Sequence, residues 1–186
     1  MAKRTKDTIT IGSAIPYIME YTGTMPTTEA ICVPANRLGY IKGGASLEYT
    51  IEPYTEKDDL GYVSKTIVNA EEAVLKLGVL TWNGDTLQKL VDRCQVEEDK
   101  TNGVRTIKLG GAGNAQGKDW VICLHHVDKK EGDLWVMVRG TNAAGLTLTL
   151  SAEGGTVLEP EFVATAHDNK GTQVILIEEI DKTAAT

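Results

Sequence analysis

Apolar and polar residues alternate with a period of two over most of the chain, the mark of strands that bury one face. Thr8-Ile9-Thr10-Ile11 opens the series, and Ala30 to Val33 is a short apolar run closed by Pro34. Ser46 to Glu52 puts Leu47, Tyr49 and Ile51 on one face and Ser46, Glu48, Thr50 and Glu52 on the other. Tyr62 to Val68 follows, and then Ala73, Leu75, Leu77 and Val79 share a face. Val104 to Leu109 is a further short strand. Trp120 to Val127 and Leu134 to Arg139 are nearly continuous apolar runs, as expected of strands covered on both sides. Leu146, Leu148 and Leu150 alternate with Thr147, Thr149 and Ser151. Phe162 to Ala166 and Gln173 to Ile180 complete the set.

One stretch breaks the period. Between Asn83 and Glu98, Leu87, Leu90, Val91 and Cys94 recur at helical spacing, with Asn83 or Asp85 as N-cap, which predicts one amphipathic helix. Turns are signalled at Lys42-Gly43-Gly44, at 110–114, at Lys130-Glu131-Gly132, at Gly154-Gly155 and at Asp168-Asn169-Lys170-Gly171, the last joining two strands as a hairpin. The fold expected is mainly β, a β-sandwich or partly open barrel with one flanking α-helix. A length of 186 residues without a long linker or a short repeat fits one domain, with short polar arms at 1–7 and 181–186.

Charge and composition narrow the function. The formal charge of −7 makes the chain a poor ligand for phosphate backbones, whose affinity comes from Lys and Arg releasing counterions. Three widely spaced cysteines, Cys32, Cys94 and Cys123, set up no disulfide framework and fit a protein made in the cytoplasm. The basic N-terminus is not followed by an apolar stretch, and no run is long enough for a membrane helix, so export by the usual secretory route is not expected.

No catalytic or metal constellation assembles. His125 and His126 are adjacent, so on a strand they point to opposite faces. No two cysteines have zinc-site spacing. Gly111-Ala112-Gly113 lacks both the third glycine and the following helix that phosphate binding needs. His167-Asp168 fits a local hydrogen bond at a turn, and Glu56-Lys57-Asp58-Asp59 a solvated loop tip rather than a calcium loop. Nothing selects two of the 26 carboxylates as an acid pair. The expectation is a binding or structural protein, neither an enzyme nor dependent on a cofactor.

Two segments carry a family resemblance. Leu38 to Tyr49 leads through a charged loop into Gly61-Tyr62-Val63-Ser64-Lys65, then Glu71 to Gly78, then Trp82-Asn83 and the predicted helix. This order is similar to the N-terminal half of phage major tail tube proteins. Glu159 to Asp168, with Gly171-Thr172 and a final β run, resembles their closing hairpin. The resemblance spans residues 8 to 180.

It implies a structural virion protein, made in the host bacterial cytoplasm, that assembles into hexameric rings stacked as a tail tube. Hairpins of all six subunits would line a lumen through which DNA passes without specific binding. Partners would be further copies of the chain, the tail tip or baseplate, the tape measure and the tail terminator, with no membrane involved. A loop and the terminal arms bridge rings in such proteins. Here the matching loop is 53–62, with Pro53, Tyr54, Glu56, Lys57, Asp58, Asp59 and Tyr62 as candidate stacking residues, and the arms lie before Thr8 and after Ile180. Glu48, Glu52 and Glu72 are candidate lumen-facing acids; the alternative is that they solvate an outer face. Tube proteins of contractile tails, phage-tail-like bacteriocins and type VI secretion machines share the fold and are a second reading, in which a sheath surrounds the tube. A third is a monomeric carbohydrate-binding or adhesion sandwich. It needs exposed aromatics, whereas Trp82, Trp120 and Trp135 sit in or beside apolar runs.

Overall fold

A computed structural model describes residues 3–181. Nine strands dominate these residues: β1 Ile15–Glu20, β2 Ile41–Lys57, β3 Ser64–Val79, β4 Cys94–Asp99, β5 Val104–Leu109, β6 Trp120–His126, β7 Leu134–Asn142, β8 Glu161–Ala164 and β9 Val174–Glu178. Two helices accompany them, α1 Thr28–Ile31 and α2 Gly84–Leu90. The fold is mainly β, as expected. Seven strands form one antiparallel sheet, six in the order β1-β6-β7-β8-β3-β2 and the seventh, β9, paired with β7 off this path, and β4 and β5 pair as a separate hairpin. The sheet does not close into a barrel.

One edge of β7 is shared. Its first half, Leu134 to Val138, pairs with β9, and its last residues, Gly140 to Asn142, pair with β8. β8 also pairs with Val74–Lys76 of β3 and so links the central strands to the β2–β3 hairpin.

Both faces of the central strands are covered, by different material. One face presents Ile18, Ile122, Leu124, Val138, Phe162 and Leu75 to α2 and to Val96 and Ile107 of the β4–β5 hairpin. The other presents Tyr17, Val121, Cys123 and Met137 to Ile31 and its neighbours Met25 and Cys32. This double cover explains the near-continuous apolar runs of β6 and β7. It also explains β1, which has no alternation to read because Tyr17 and Ile18 are buried on opposite faces. Pro16 is tolerated in β1 because the strand lies at the sheet edge.

The predicted helix over 83–98 is shorter than expected. Asn83 caps it, its Oδ1 accepting the Thr86 N–H at 3.0 Å, but helical geometry ends at Val91, whose ψ is 110°. The rest becomes β4, paired residue by residue with β5. The Gln116 side chain helps stop the helix by donating to the Gln88 carbonyl at 2.8 Å and to that of Cys94 at 3.3 Å. Cys94 and Val96 satisfy the strand period as well as Leu90 and Cys94 satisfy the helical one, and the ladder offered by β5 decides between them.

Four other expected strands or turns differ. Ala30 to Val33 is not a strand: Thr27 caps α1 there, its hydroxyl taking the Ala30 N–H at 3.3 Å. Thr8–Ile11 and Leu146–Leu150 alternate but find no partner strand, and Ile11 and Leu150 stay exposed. Lys42-Gly43-Gly44 is not a chain reversal but an irregularity within β2, three residues set against Gly78 between the pairs Ile41–Val79 and Ala45–Leu77. Gly43 and Gly44 have φ of 86° and 88°, a region open to glycine at little steric cost.

Gly78 lies at the tightest point of this bulge, where an added Cβ would fall 2.2 Å from the Lys42 carbonyl oxygen. Gly78→Ala therefore destabilises the fold by about 1–3 kcal/mol, through overpacking against backbone that cannot yield. Asn83→Ala removes only a cap and costs about 1 kcal/mol. Urea unfolding followed by Trp fluorescence measures both.

Candidate functional site

The β2–β3 hairpin is much longer than the core it starts from. At about 3.3 Å per residue, a 17-residue strand spans roughly 56 Å. Leu47 and Ala73 are the last residues of the two strands that are even partly covered, and every residue from Glu48 to Glu72 is exposed. The segment projects as an arm.

Its register assigns the faces. Leu47–Leu75, Tyr49–Ala73 and Ile51–Glu71 are paired and continue the face that packs on α2. Glu48–Val74, Thr50–Glu72 and Glu52–Ala70 are paired on the opposite face. Glu48, Glu52 and Glu72 thus share one side of the arm, with Glu72 directly across from Thr50 and diagonal to the other two. The same side continues through the ion pair of Lys76 and Glu161, 3.2 Å apart, onto β8. Among the described residues none of the three acids joins an ion pair.

The other side of the arm is an apolar stripe. Tyr49 and Ile51 follow Leu47 outward, and both keep just over half of their surface in water, 54% and 52%. Between Glu52–Ala70 and Pro53–Val68 the register shifts, because Asn69 is one extra residue on β3. The shift moves Val68 to the side of Pro53 and Ile51, and leaves Ile67 opposite Tyr54 on the acidic side. A groove of about 420 Å³ runs between the stripe and β9, walled by Leu47, Tyr49, Val174 and Leu176. Gln173 Nε2 spans it to the Glu71 carbonyl at 3.3 Å. Among the described residues no strand pairs with the outer edge of β2 along its length.

The expected loop 53–62 is therefore corrected. Pro53, Tyr54, Glu56 and Lys57 belong to β2, and the reversal itself is only residues 58–63. Asp58 closes it, its Oδ1 accepting the Val63 N–H at 2.7 Å. Asp59 and Tyr62 lie at the tip, where Leu60, Tyr62 and Val63 are exposed by 76%, 84% and 70%. The stripe of Tyr49, Ile51 and Val68 was not foreseen as exposed, because period-two alternation reads the same whether or not the apolar face is covered. The signal available was length, since a typical strand has about 5–6 residues.

The terminal arms differ from expectation as well. Residues 1–2 and 182–186 lie outside the described residues. Lys3 and Arg4 are docked: Lys3 pairs with Glu179, Arg4 N donates to the Glu131 carbonyl at 2.7 Å, and Arg4 Nε donates to that of Gly132 at 3.1 Å. His125 and His126 separate to opposite faces. His125 stacks on Trp135 and meets Asp133 Oδ2 at 2.7 Å, while His126 Nδ1 lies 2.9 Å from the Ser13 carbonyl. Asp168 builds the last turn by accepting the N–H groups of Lys170 and Thr172, each at 2.9 Å. The expected hairpin is not formed: β8 and β9 both run antiparallel to β7 along one of its edges, so 165–173 is an excursion between two collinear strands. The three tryptophans are partly buried against the two cores. Among the described residues no cluster of His, Cys, Asp or Glu could hold a metal, and no helix is long and apolar enough to cross a membrane.

No protein-family model matches the chain, and no curated protein matches it. The resemblance to tail tube proteins rests on the segments quoted above.

The docked N-terminus has a pH dependence. The Glu179 carboxyl is held below its ordinary value of 4.5, chiefly by its hydrogen bond with Lys3. A depressed carboxylate stabilises fully above its unfolded pKa and loses that contribution as pH falls through the folded one. Hydrogen-exchange protection of the Arg4 amide is expected to hold at neutral pH and to weaken as pH falls below the ordinary glutamate range, after correction for intrinsic exchange. Lys3→Ala is expected to show the same loss at neutral pH.

Proposed function

We propose that this chain is a self-assembling structural protein, the subunit of a phage-type tail tube, in which the β2–β3 arms of neighbouring copies pair around a lumen. The observation that carries this reading is the arm itself. It leaves its own core with an apolar stripe on one side, unpaired acids on the other and an open backbone edge along β2. A lone two-stranded hairpin is marginal in water, and a long open edge invites pairing with another chain. Closing such edges into a ring removes the hazard and fixes the diameter of the assembly, while stacking of rings is a head-to-tail contact that can continue.

The faces suit that arrangement. The stripe of Tyr49, Ile51 and Val68 lies on the side of the subunit's own core, so in a ring it turns toward protein. Glu48, Glu52 and Glu72 lie on the other side, toward the lumen. With a Debye length of about 8 Å, their repulsion of DNA acts near contact, as a wall that does not hold its cargo. In this reading the tip residues Asp58, Asp59 and Tyr62 reach a neighbouring ring. The partners at the tube ends are a tail tip or baseplate, a tape measure and a terminator.

Negative-stain electron microscopy of the concentrated protein, alone and seeded with tail-tip complexes, tests the reading. Rings or hollow tubes are expected, and dispersed particles under both conditions would overturn it. Ile51→Glu is expected to abolish assembly while leaving monomer stability within about 0.5 kcal/mol of the parent, since the residue touches no core. Combined Glu48→Gln, Glu52→Gln and Glu72→Gln is expected to keep tube assembly and slow DNA release. Unchanged release kinetics would remove the lumen role of these acids without touching the tube reading.

A further inference from the structure

Cys32 and Cys123 are 91 positions apart in sequence, yet their sulfurs lie 3.8 Å from each other. Cys123 stands in the middle of β6 and is fully buried on the face covered by α1. Cys32 is the C-cap of α1, where the chain turns away with φ −79° and ψ 46°, and it is only partly buried. The third cysteine, Cys94, belongs to the other core, on the far side of the sheet. The two sulfurs thus face each other across a single layer contact between the sheet and the segment that covers it.

We infer that Cys32 and Cys123 are a redox modification site, closed to an intrachain disulfide by a two-electron oxidant of the azo or peroxide class and open in reducing surroundings. Bond formation brings the sulfurs to about 2.05 Å, so the two sides must approach by a little under 2 Å. Cys32 sits at a helix end where the backbone is already leaving regular structure, and it takes up most of this movement.

The order of events follows from exposure. Burial and the neighbouring Cys32 push the Cys123 thiol far above the ordinary thiol range. Burial raises Cys32 too, with partial relief from hydrogen bonds to Cys123 and Trp135. The more accessible Cys32 reacts first. With the azo oxidant diamide, its thiolate adds to one azo nitrogen and the other nitrogen takes up a proton. The Cys123 sulfur then attacks the Cys32 sulfur. The S–N bond breaks, and the nitrogen leaves with the second thiol proton as the hydrazine. Two thiols are oxidised by two electrons, and one azo group is reduced by two.

The consequence is a staple between the covering segment and β6. A closed loop of this length removes much of the freedom of the unfolded chain, and for a protein of this size the expected rise in Tm is about 5–15 °C.

The test uses the full chain in its native state. It is treated with diamide at mildly alkaline pH, denatured without reductant, alkylated with N-ethylmaleimide and analysed by intact mass and peptide mapping. The expected product is monomeric, lacks two hydrogens, takes one alkyl group at Cys94 and yields a linked Cys32–Cys123 peptide that dithiothreitol reverses. Its Tm exceeds that of the reduced protein. Cys32→Ser, at the less buried position, should gain neither the link nor the Tm rise. Three alkylatable thiols after treatment, a link through Cys94, or mainly interchain dimers would each overturn the inference. The wild-type mapping stands whether or not the variant folds.

Discussion

A β-strand satisfies only half of its backbone through its own hairpin partner, and the rest of this structure answers to that constraint. Within the central strands it is met by the chain itself. β6 and β8 are paired on both edges, and β7 divides one edge between β8 and β9. Beyond Leu47 and Ala73 it is not met, because β2 and β3 continue with only each other for company. At the arm's root Leu75, Leu77 and Val79 are buried in the core that α2, Leu158 and Phe162 share; the outer part has no such support within one copy.

The two faces of the sheet show how the root is made firm enough to carry this overhang. On one side lie α2, the β4–β5 hairpin and Leu158; on the other, α1 and the chain around Met25 and Cys32. The double cover clamps β6 and β7 as a slab, and β8 hands that rigidity to β3 through three residue pairs. Phe162, fully buried in β8, anchors the junction. The arm is therefore a lever on a fixed base, its backbone ordered as a ladder even where its side chains meet only water.

Much of this was legible in the residues. The alternation of Leu47, Tyr49 and Ile51, the apolar runs of β6 and β7 and the Asp168 turn follow from period and turn chemistry alone. What was not legible depended on neighbours. Cys94 and Val96 joined a strand because β5 was there to pair, and Ile9, Ile11, Leu148 and Leu150 did not because nothing was. Tyr17 and Ile18 hid β1 by being buried on both sides. For the candidate site, the shared face of Glu48, Glu52 and Glu72 could be read once a hairpin register was assumed, but the exposure of Tyr49 and Ile51 could not. Alternation reports which residues turn the same way and says nothing of what they turn toward. The proximity of Cys32 and Cys123 had no local signal at all.

Asn69 deserves its place for what it does to phase. Toward the root, odd-numbered residues of β3 look to the apolar side of the arm; past the extra residue, even-numbered ones do. The inversion is what sets Val68 beside Ile51 and turns Lys65 to the side of Glu56. The arm is thus written in two reading frames joined at one residue, and its tip owes its chemistry to the splice. Between Ser64 and Glu72 a substitution alters one side chain in place, but a change in length by a single residue rewrites everything distal to it.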